Sequence, residues 1–388
     1  MSALASSSMP LQRKLFSADS HIVEPGNCYI DNIERKYRDR APHFVQGDKG
    51  GEYFVIDGIR FPSPVAQFAA SGLDLGKADF AAMRLDQANT GAYDPAQRLK
   101  DQDRDGVSGE IIYPSLGMLV CSAEDADYKQ ACMWAYNRWL NEFVSHAPNR
   151  LVGLGQTAVR SVDEAVDDLR KFRDMGFRGV MLPAEPATSV DYHDKSFDKL
   201  WSAAVELDMP ISFHVLTSRA TQKLASSFVE GSRGGVRGPQ MNTIQEIPRA
   251  NQDIIGMFIW GGVFERFPSL KLVCVEADAS WAPHFMMKMD HYYVDRPDTK
   301  FNLAIPHIPS HYFKRNVFLT FMDDWIAFDL LKYFGPGQLL WANDFPHTDG
   351  CWPRSQELLA AHAAHVAESD INDICYNNVV KLYGLNKT

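Results

Sequence analysis

Eight short apolar segments, separated by longer stretches of chain, constrain the fold more than any other feature of this sequence. Several are almost uninterrupted runs of Val, Ile, Leu and Phe, which is typical of parallel strands buried on both faces. The predicted strands are residues 15–23, 109–114, 151–157, 178–183, 210–215, 271–278, 316–321 and 339–346. Parallel strands need crossover connections, so the spacing predicts an α/β fold.

Helix-like segments lie between several of these strands. They include residues 124–146, 161–176 and 194–208. The second begins with a Ser-x-x-Glu capping box at Ser161 and Glu164 and ends at Gly176. Eight strands with helical crossovers predict a (β/α)8 TIM barrel, with a doubly wound open sheet as the alternative. We expect one barrel domain over residues 1–388.

Residues 24–108 are too long for a single crossover. Within them, residues 51–61 predict a small hairpin that turns at Asp57-Gly58. We interpret this insertion as a cap over one mouth of the barrel. A second irregular region, 216–245, contains the glycine-rich run 231–238. It lacks the GK[ST] ending of a phosphate-binding loop, so a mobile loop is the better interpretation.

Composition excludes several classes of protein. The chain has 39 basic and 49 acidic residues, and a net charge of −10 does not favour binding to nucleic acid. No segment approaches the roughly 18 consecutive apolar residues of a membrane span, and no apolar core of a signal peptide precedes the first basic residues. The six cysteines form no CxxC pair. We therefore expect a cytoplasmic protein with reduced thiols.

Residues that can bind a metal stand where several predicted strands end. Asp19 and His21 are two apart on the first strand, so their side chains point the same way. His214 lies near the end of the fifth strand and Asp344 near the end of the eighth. Any one of them alone could be a capping or hydrogen-bonded core residue. Two carboxylates and two imidazoles at one barrel edge suit Zn²⁺ or Mn²⁺.

Other polar residues follow the same strand ends. Glu276 and Asp278 end the sixth strand, and Glu276 could be an acid/base group, a partner of a ligating histidine or a residue that begins a helix. Arg219 could bind a substrate carboxylate, or it could be a solvated loop residue. His347 follows Asp344 by three residues and could orient it or cap the loop.

Several motifs resemble the amidohydrolase superfamily, specifically its branch of metal-dependent decarboxylases and hydrolases related to aminocarboxymuconate semialdehyde decarboxylase. Residues 19–25 resemble the D-x-H-x-x-E-P opening of one subgroup. Residues 339–353 resemble the S-D-[YF]-P-H motif of strand eight. Further matching segments are 176–183, 206–215, 261–290 and 377–385. The resemblance covers nearly everything except the insertion.

This resemblance implies a (β/α)8 barrel that binds one divalent metal through Asp19, His21, His214 and Asp344. It also implies that Asp344 transfers a proton. Two positions depart from the family pattern. Asp19 stands where many members have His or Glu, and Glu276 stands near the place of a catalytic histidine of many decarboxylases.

Three functions follow as hypotheses. The first is a carboxy-lyase for a small aromatic or unsaturated acid, in which Asp344 protonates carbon and Arg219 orients an anionic substrate. The second is a hydrolase for an amide, a lactone or an activated C–C bond, with a metal-bound water as nucleophile. The third is a non-catalytic binding protein on a barrel scaffold. No GxGxxG follows a strand, which disfavours a dinucleotide cofactor. A homodimer is possible.

Overall fold

The computed structural model describes residues 13–57, 59–218, 247–296 and 305–387. Its strands, in chain order, are β1 (Leu15–Ile22), β2 (His43–Gln46), β3 (Glu52–Ile56), β4 (Ile59–Pro64), β5 (Val107–Pro114), β6 (Leu151–Gly153), β7 (Gly155–Gln156), β8 (Val180–Met181), β9 (Ile211–His214), β10 (Leu272–Val275), β11 (Val317–Phe321) and β12 (Leu339–Trp341). The α-helices of the described residues are α1 (Cys28–Asn32), α2 (Pro95–Asp105), α3 (Ala126–Ser145), α4 (Val162–Asp174), α5 (Asp198–Glu206), α6 (Ile247–Trp260), α7 (Val263–Arg266), α8 (Ala282–Asp295), α9 (Pro309–Asn316), α10 (Trp325–Asp329), α11 (Leu331–Phe334), α12 (Ser355–His362), α13 (Glu368–Asn372) and α14 (Asn378–Leu382).

Two sheets contain only parallel strand pairs. Their strand orders are β1-β5-β6 and β12-β11-β10-β9-β8-β7. Each of the eight predicted segments contributes to one or both of these sheets, which confirms an α/β fold with parallel strands. Most strands are shorter than predicted, although β5 begins two residues earlier, and in segment 178–183 only Val180–Met181 forms a strand. An apolar run predicts which residues are buried, whereas the length of a strand depends on which backbone groups form hydrogen bonds with a neighbouring strand.

The two sheets approach each other at both ends. Only Leu154 separates β6 from β7, so the predicted strand 151–157 contributes to both sheets. At the other end, His21 N–H donates to Phe345 O over 2.7 Å, and Asp344 N–H donates to Asp19 O over 3.0 Å. In the part of the chain that the structure describes, the ladder is thus divided between two sheets rather than closed into one.

Strand β1 is buried along its whole length, yet half of its residues are polar. Ser17, Asp19, Ser20 and His21 all have no exposed surface. A polar group without a partner is costly to bury, so such a strand must supply hydrogen bonds or ligands inside the protein. This is the first structural sign that β1 belongs to a functional site.

Local sequence explains the bounds of helix α4. The Ser161 Oγ accepts a hydrogen bond from Glu164 N–H over 3.2 Å, as the capping box predicts. The Glu164 carboxylate binds Arg160 instead, with Arg160 Nε 2.9 Å from Glu164 Oε2. The helix ends at Asp174, and Gly176 takes a left-handed φ of 88°, which glycine adopts without steric penalty.

The insertion 24–108 contains an antiparallel sheet of order β2-β3-β4, together with α1 and α2. The predicted hairpin is confirmed: β3 and β4 pair from Ile56 and Ile59 outward, and Asp57 has a φ of 49°. The position of the insertion as a cap over a barrel mouth stays a prediction. From residue 219 onward, the predicted loop 216–245 lies outside the described residues.

All six cysteines are buried and none forms a disulfide. No helix among the described residues is both long and apolar enough to cross a membrane.

Candidate metal centre

Five of the strand-end residues come together at one edge of the parallel sheets. Asp19 and His21 lie near the end of β1, His214 ends β9, Glu276 follows β10, and Asp344 stands three residues after β12. Parallel strands bring their carboxyl ends to one edge, so residues far apart in sequence meet there. All are buried except Glu276, whose side chain is 19% exposed.

The His21 imidazole lies at the centre of this group. Its Nε2 is 3.4 Å from Asp19 Oδ1, 3.4 Å from Glu276 Oε2 and 3.3 Å from Asp344 Oδ1. The His214 Nε2 lies 3.3 Å from His21 Nε2 and 3.0 Å from Glu276 Oε2. Three carboxylates therefore face two imidazoles within a very small volume.

The second nitrogen of each imidazole determines what these Nε2 atoms can do. His21 Nδ1 lies 2.8 Å from Pro114 O, and His214 Nδ1 lies 2.9 Å from Val215 O. A carbonyl only accepts hydrogen bonds, so both Nδ1 atoms carry the hydrogen. In the neutral rings, both Nε2 lone pairs then point into the same space. The two Nε2 atoms are 3.3 Å apart, so their lone pairs need a proton or a metal ion between them.

The facing carboxylate atoms are also unsatisfied. Asp19 Oδ1, Glu276 Oε2 and both carboxylate oxygens of Asp344 are buried with no hydrogen-bond partner apart from the imidazoles that face them. Buried polar groups of this kind usually have partners, and four such atoms facing two imidazoles call for a cation. Imidazole nitrogen and carboxylate oxygen are ligands for Zn²⁺ and Mn²⁺. The residues therefore fit a divalent metal, and the potential ligand atoms of Asp19, His21, His214 and Glu276 lie within 4.8 Å of one another.

Charge complementarity inside the cluster shifts the pKa of each member. Burial opposes the ionised form of Asp19, but hydrogen bonds with His21 and His214 outweigh it and lower the pKa. Glu276 behaves alike, because the charge of His214 holds its pKa well below the usual range despite burial. Burial opposes protonation of the imidazoles, yet the carboxylates raise the pKa of His214 to about 9 and also raise the pKa of His21 well above its usual value. The three carboxylates thus favour a positive charge among them, either on the imidazoles or on a bound cation.

Two of the carboxylates stand on strained backbone. Glu276 has a φ of 60° and Asp344 a φ of 53°. Residues with a Cβ rarely adopt left-handed conformations, which persist where the surrounding structure holds them and often at functional sites. Here hydrogen bonds hold both residues: Glu276 N–H donates to Thr320 Oγ1 over 2.8 Å, and Asp344 N–H to Asp19 O.

A short polar chain leads away from Asp344. His347 Nδ1 lies 3.0 Å from Asp344 Oδ1, and His347 Nε2 lies 2.7 Å from Ser115 Oγ. Ser115 donates its own proton to Ile22 O over 2.7 Å, so it accepts from His347 Nε2–H. The neutral His347 ring then presents a bare Nδ1 to Asp344, and the two residues can share one proton. Burial raises the pKa of Asp344 to about 6, against the opposing charge of His347.

The structure brings together six of the seven residues that the sequence singled out: Asp19, His21, His214, Glu276, Asp344 and His347. Arg219 lies outside the described residues. Sequence reasoning missed Ser115 and Thr320. Ser115 directly follows the predicted strand 109–114, so the strand-end rule applied to Glu276 and Asp344 could have found it. Thr320 is next to last in the predicted strand 316–321, as His214 is in 210–215, so the same rule could have found it.

Comparison with known proteins identifies the family of this chain. The family model described as Amidohydrolase matches residues 118–385. A curated relative, the 2-amino-3-carboxymuconate-6-semialdehyde decarboxylase of Dictyostelium discoideum, is 21% identical over 213 residues, which is 55% of each protein. This chain thus spans about half the length of that relative.

Solved structures share the fold over nearly the whole chain. An amidohydrolase from Mycobacterium avium subsp. paratuberculosis K-10 superposes with a TM-score of 0.78 at 21% identity, covering 96% of this chain and 100% of that one. A dihydroxybenzoic acid decarboxylase from a Polaromonas species, solved with manganese and the inhibitor 2-nitroresorcinol, gives a TM-score of 0.63 at 17% identity, with 97% and 98% covered. The family model covers more than half of the chain, and this chain belongs to the amidohydrolase family of enzymes.

Proposed function

We propose that this chain is a metal-dependent carboxy-lyase that acts on a small aromatic or unsaturated carboxylic acid. One observation carries the proposal. The Nε2 atoms of His21 and His214 lie 3.3 Å apart beside carboxylate oxygens that have no other partner. The decarboxylases among the relatives support the choice of reaction.

Asp19, His21, His214 and Asp344 would hold one Zn²⁺ or Mn²⁺, as the resemblance implies. We add Glu276 to this group as a ligand rather than an acid/base catalyst. Its Oε2 lies 3.0 Å from His214 Nε2 and 3.4 Å from His21 Nε2, and it has no hydrogen-bond partner. When bound, the metal would act as a Lewis acid toward the substrate carboxylate or an adjacent hydroxyl.

Asp344 is the group that moves a proton in this proposal. Its pKa, raised to about 6, lets the carboxyl take up and release a proton close to neutral pH, and His347 Nδ1 lies 3.0 Å from its Oδ1. When the C–C bond breaks, carbon dioxide leaves and the bonding electrons remain on the ring or chain carbon. The Asp344 proton forms the new C–H bond. His347, whose side chain is 13% exposed, would then take up a proton from solvent at Nδ1 and pass it to Asp344.

The substrate is a small anion in this proposal. The Polaromonas relative was solved with 2-nitroresorcinol, an aromatic inhibitor, and the Dictyostelium relative is named for a carboxymuconate substrate. We keep Arg219 as the candidate that binds the substrate carboxylate and His347 as a residue facing the substrate.

We also propose that the two parallel sheets belong to one (β/α)8 barrel with residues 24–108 as its cap. Leu154 alone interrupts the passage from one sheet to the other. The hydrogen bonds of His21 and Asp344 join β1 to the residues that follow β12. Both features support a continuous ring of strands.

A hydrolase that uses a metal-bound water is the second candidate. Glu276 favours it, because a carboxylate stands near the place of a histidine found in many decarboxylases. A carboxylate there can assist a water molecule. In that reaction Asp344 would take the proton of the water and pass it to the leaving group.

Metal content and turnover test the proposal together. Elemental analysis of protein purified without chelator should find about one zinc or manganese per chain. His214→Ala should lose the metal, whereas His365→Ala, which changes an exposed histidine paired with Asp329, should keep it. Wild-type protein without metal would overturn the proposed site.

The metal-loaded protein is then screened with aromatic and unsaturated acids for carbon dioxide release, and with amides and lactones for hydrolysis. Asp344→Asn should reduce turnover by roughly 10²–10⁴-fold, the usual contribution of a positioned acid or base. A fully active Asp344→Asn enzyme would contradict both reactions. Metal binding without any turnover would favour a binding protein.

A further inference from the structure

The insertion 24–108 contributes a buried arginine that binds the main chain beside the proposed metal ligands. Arg98 lies in α2 and has no exposed surface. Its Nη1 donates to His21 O over 2.7 Å and to Gly91 O over 3.1 Å, and its Nη2 to Phe345 O over 3.3 Å. Its Nε donates to Glu110 Oε2 over 2.7 Å. We propose that Arg98 is a positioning residue of the metal site, which holds the main chain of His21 in register with that of Phe345, the residue after Asp344.

The contacted carbonyls lie at the junction where β1 meets the residues that follow β12. The Phe345 carbonyl accepts both His21 N–H and Arg98 Nη2. Phe345 follows Asp344, whose own N–H donates to Asp19 O. Arg98 therefore completes a hydrogen-bonded junction that contains the main chain of three proposed ligands, Asp19, His21 and Asp344. It contacts none of their side chains.

Only an arginine can make this set of contacts. A guanidinium is planar and carries five N–H donors in fixed directions, whereas a lysine ammonium is a point charge with rotatable donors. The Arg98 guanidinium also lies 4.4 Å from the centroid of the Phe345 ring. The chain around the Gly91 carbonyl is tightly packed, because a Cβ on Gly91 would lie 2.0 Å from Asp101 Oδ2 and 3.2 Å from Phe345 Cζ.

Metal affinity depends on this register. Ligand atoms must be held within about 0.5 Å of the productive geometry, and groups behind the ligands supply that precision. A shift of the main chain at His21 or Phe345 would move ligands on β1 and beyond β12 relative to His214. Helix α2 of the insertion thus supports the metal site through the Arg98 side chain, which binds the main chain beside the ligands and not their side chains.

The buried pair with Glu110 gives Arg98 a second, purely structural role. Glu110 lies on β5 and is itself buried. Breaking a buried ion pair by changing one partner destabilises the fold, whichever partner is changed. The two roles can be separated, because Glu110 contacts only the Nε side of the fork, while the carbonyls of His21 and Phe345 bind Nη1 and Nη2.

The test compares Arg98→Lys with Glu110→Gln by calorimetric titration of the metal-free protein with Mn²⁺, together with thermal unfolding. We expect both variants to unfold at lower temperature. Arg98→Lys should weaken Mn²⁺ binding by roughly 10–100-fold, the usual effect of losing a group that orients ligands. Glu110→Gln keeps the fork on the carbonyls, and its affinity should stay within about threefold of wild type.

Equal losses of affinity in the two variants, or no loss in Arg98→Lys, would overturn the positioning role. If Arg98→Lys does not fold, the double variant Arg98→Gln/Glu110→Gln replaces it, since it leaves no unpaired charge buried, and Glu110→Gln stays the control. The inference rests on the proposed metal site. Wild-type protein that binds no Mn²⁺ would refute that site, whereas tight binding by both wild type and variants would refute only the role of Arg98.

Discussion

At the scale of single residues, the existing hydrogen bonds of each polar side chain determine which of its atoms can bind a cation. His21 and His214 use Nδ1 on backbone carbonyls, so their Nε2 lone pairs are left to face one another. Glu276 has no such competing partner for Oε2. Its backbone is left-handed, with a φ of 60°, and its Oε2 lies 3.0 Å from the Nε2 of His214 at the end of β9.

A conservative substitution at Glu276 separates a ligand from an acid/base catalyst. Glu276→Gln keeps the shape but removes the charge beside His214, so Mn²⁺ affinity should fall at least tenfold, which is about 1.4 kcal/mol. Asp278→Asn is the matched control, because Asp278 follows on the same loop, is exposed and also has a positive φ of 57°. Titration calorimetry at constant pH gives both affinities. Unchanged Mn²⁺ affinity in Glu276→Gln, with lost turnover, would assign Glu276 to catalysis instead.

At the scale of elements, hydrogen bonds connect the loops that follow the strands. Glu24, just beyond β1, is fully buried and accepts hydrogen bonds from Leu116 N–H over 2.9 Å and Gly117 N–H over 2.7 Å. These residues follow Ser115, which contacts His347. One buried carboxyl group therefore links the end of β1 to the loop after β5 and, through it, to the site.

This buried carboxyl group predicts a dependence of stability on pH. Burial raises the pKa of Glu24 from 4.5 to about 7, although the backbone N–H groups partly offset it. Between these values the folded protein keeps a proton that the unfolded chain releases. The free energy of unfolding should therefore fall as the pH rises through this window, by about 3 kcal/mol in total.

Glu24→Gln cannot ionise, and one of its amide hydrogens faces a backbone N–H. We expect it to be less stable than wild type at pH 5, and the deficit should shrink by pH 8. Urea unfolding at the two pH values measures this difference. Glu34→Gln, which changes an exposed carboxylate, should show the same small effect at both. A Glu24→Gln deficit that is constant or grows with pH would refute the explanation.

At the scale of the whole molecule, the proposed metal ligands come from segments that are distant in sequence. Asp19 and Asp344 lie near opposite ends of the chain, and His214 and Glu276 lie between them. A metal bound by these residues would connect β1, β9, β10 and β12 in the folded state only. Its binding energy would then add to the stability of the fold as a whole.

Removing the metal should therefore lower the unfolding temperature. At a free metal concentration a thousand times its Kd, binding stabilises the folded state by about 4 kcal/mol, which should raise the Tm by several degrees. Scanning calorimetry of the wild-type protein with Mn²⁺ and with excess chelator measures the shift. In His214→Ala the two scans should coincide. Coinciding scans for the wild type as well would argue against a metal bound by the folded state.

Local sequence rules predict the class of fold and most of the candidate site. Parallel strands end at a common edge, and side chains two apart on a strand share a face, so Asp19, His21, His214 and Asp344 could be predicted from local rules. These rules need only the position of each residue on its own strand. That is also why the hairpin at Asp57 and the start of α4 at Ser161 were predictable.

How these residues meet depends on contacts that form in the folded chain. The contact of Glu276 with both imidazoles, the bond from His347 to Ser115 and the binding of Arg98 to two strand ends all join residues remote in sequence. The same holds for strand lengths, since Val180–Met181 pairs only where its neighbours present free backbone groups. Local pattern shows which residues are polar or apolar, whereas partners are selected by packing and by the hydrogen bonds that remain available.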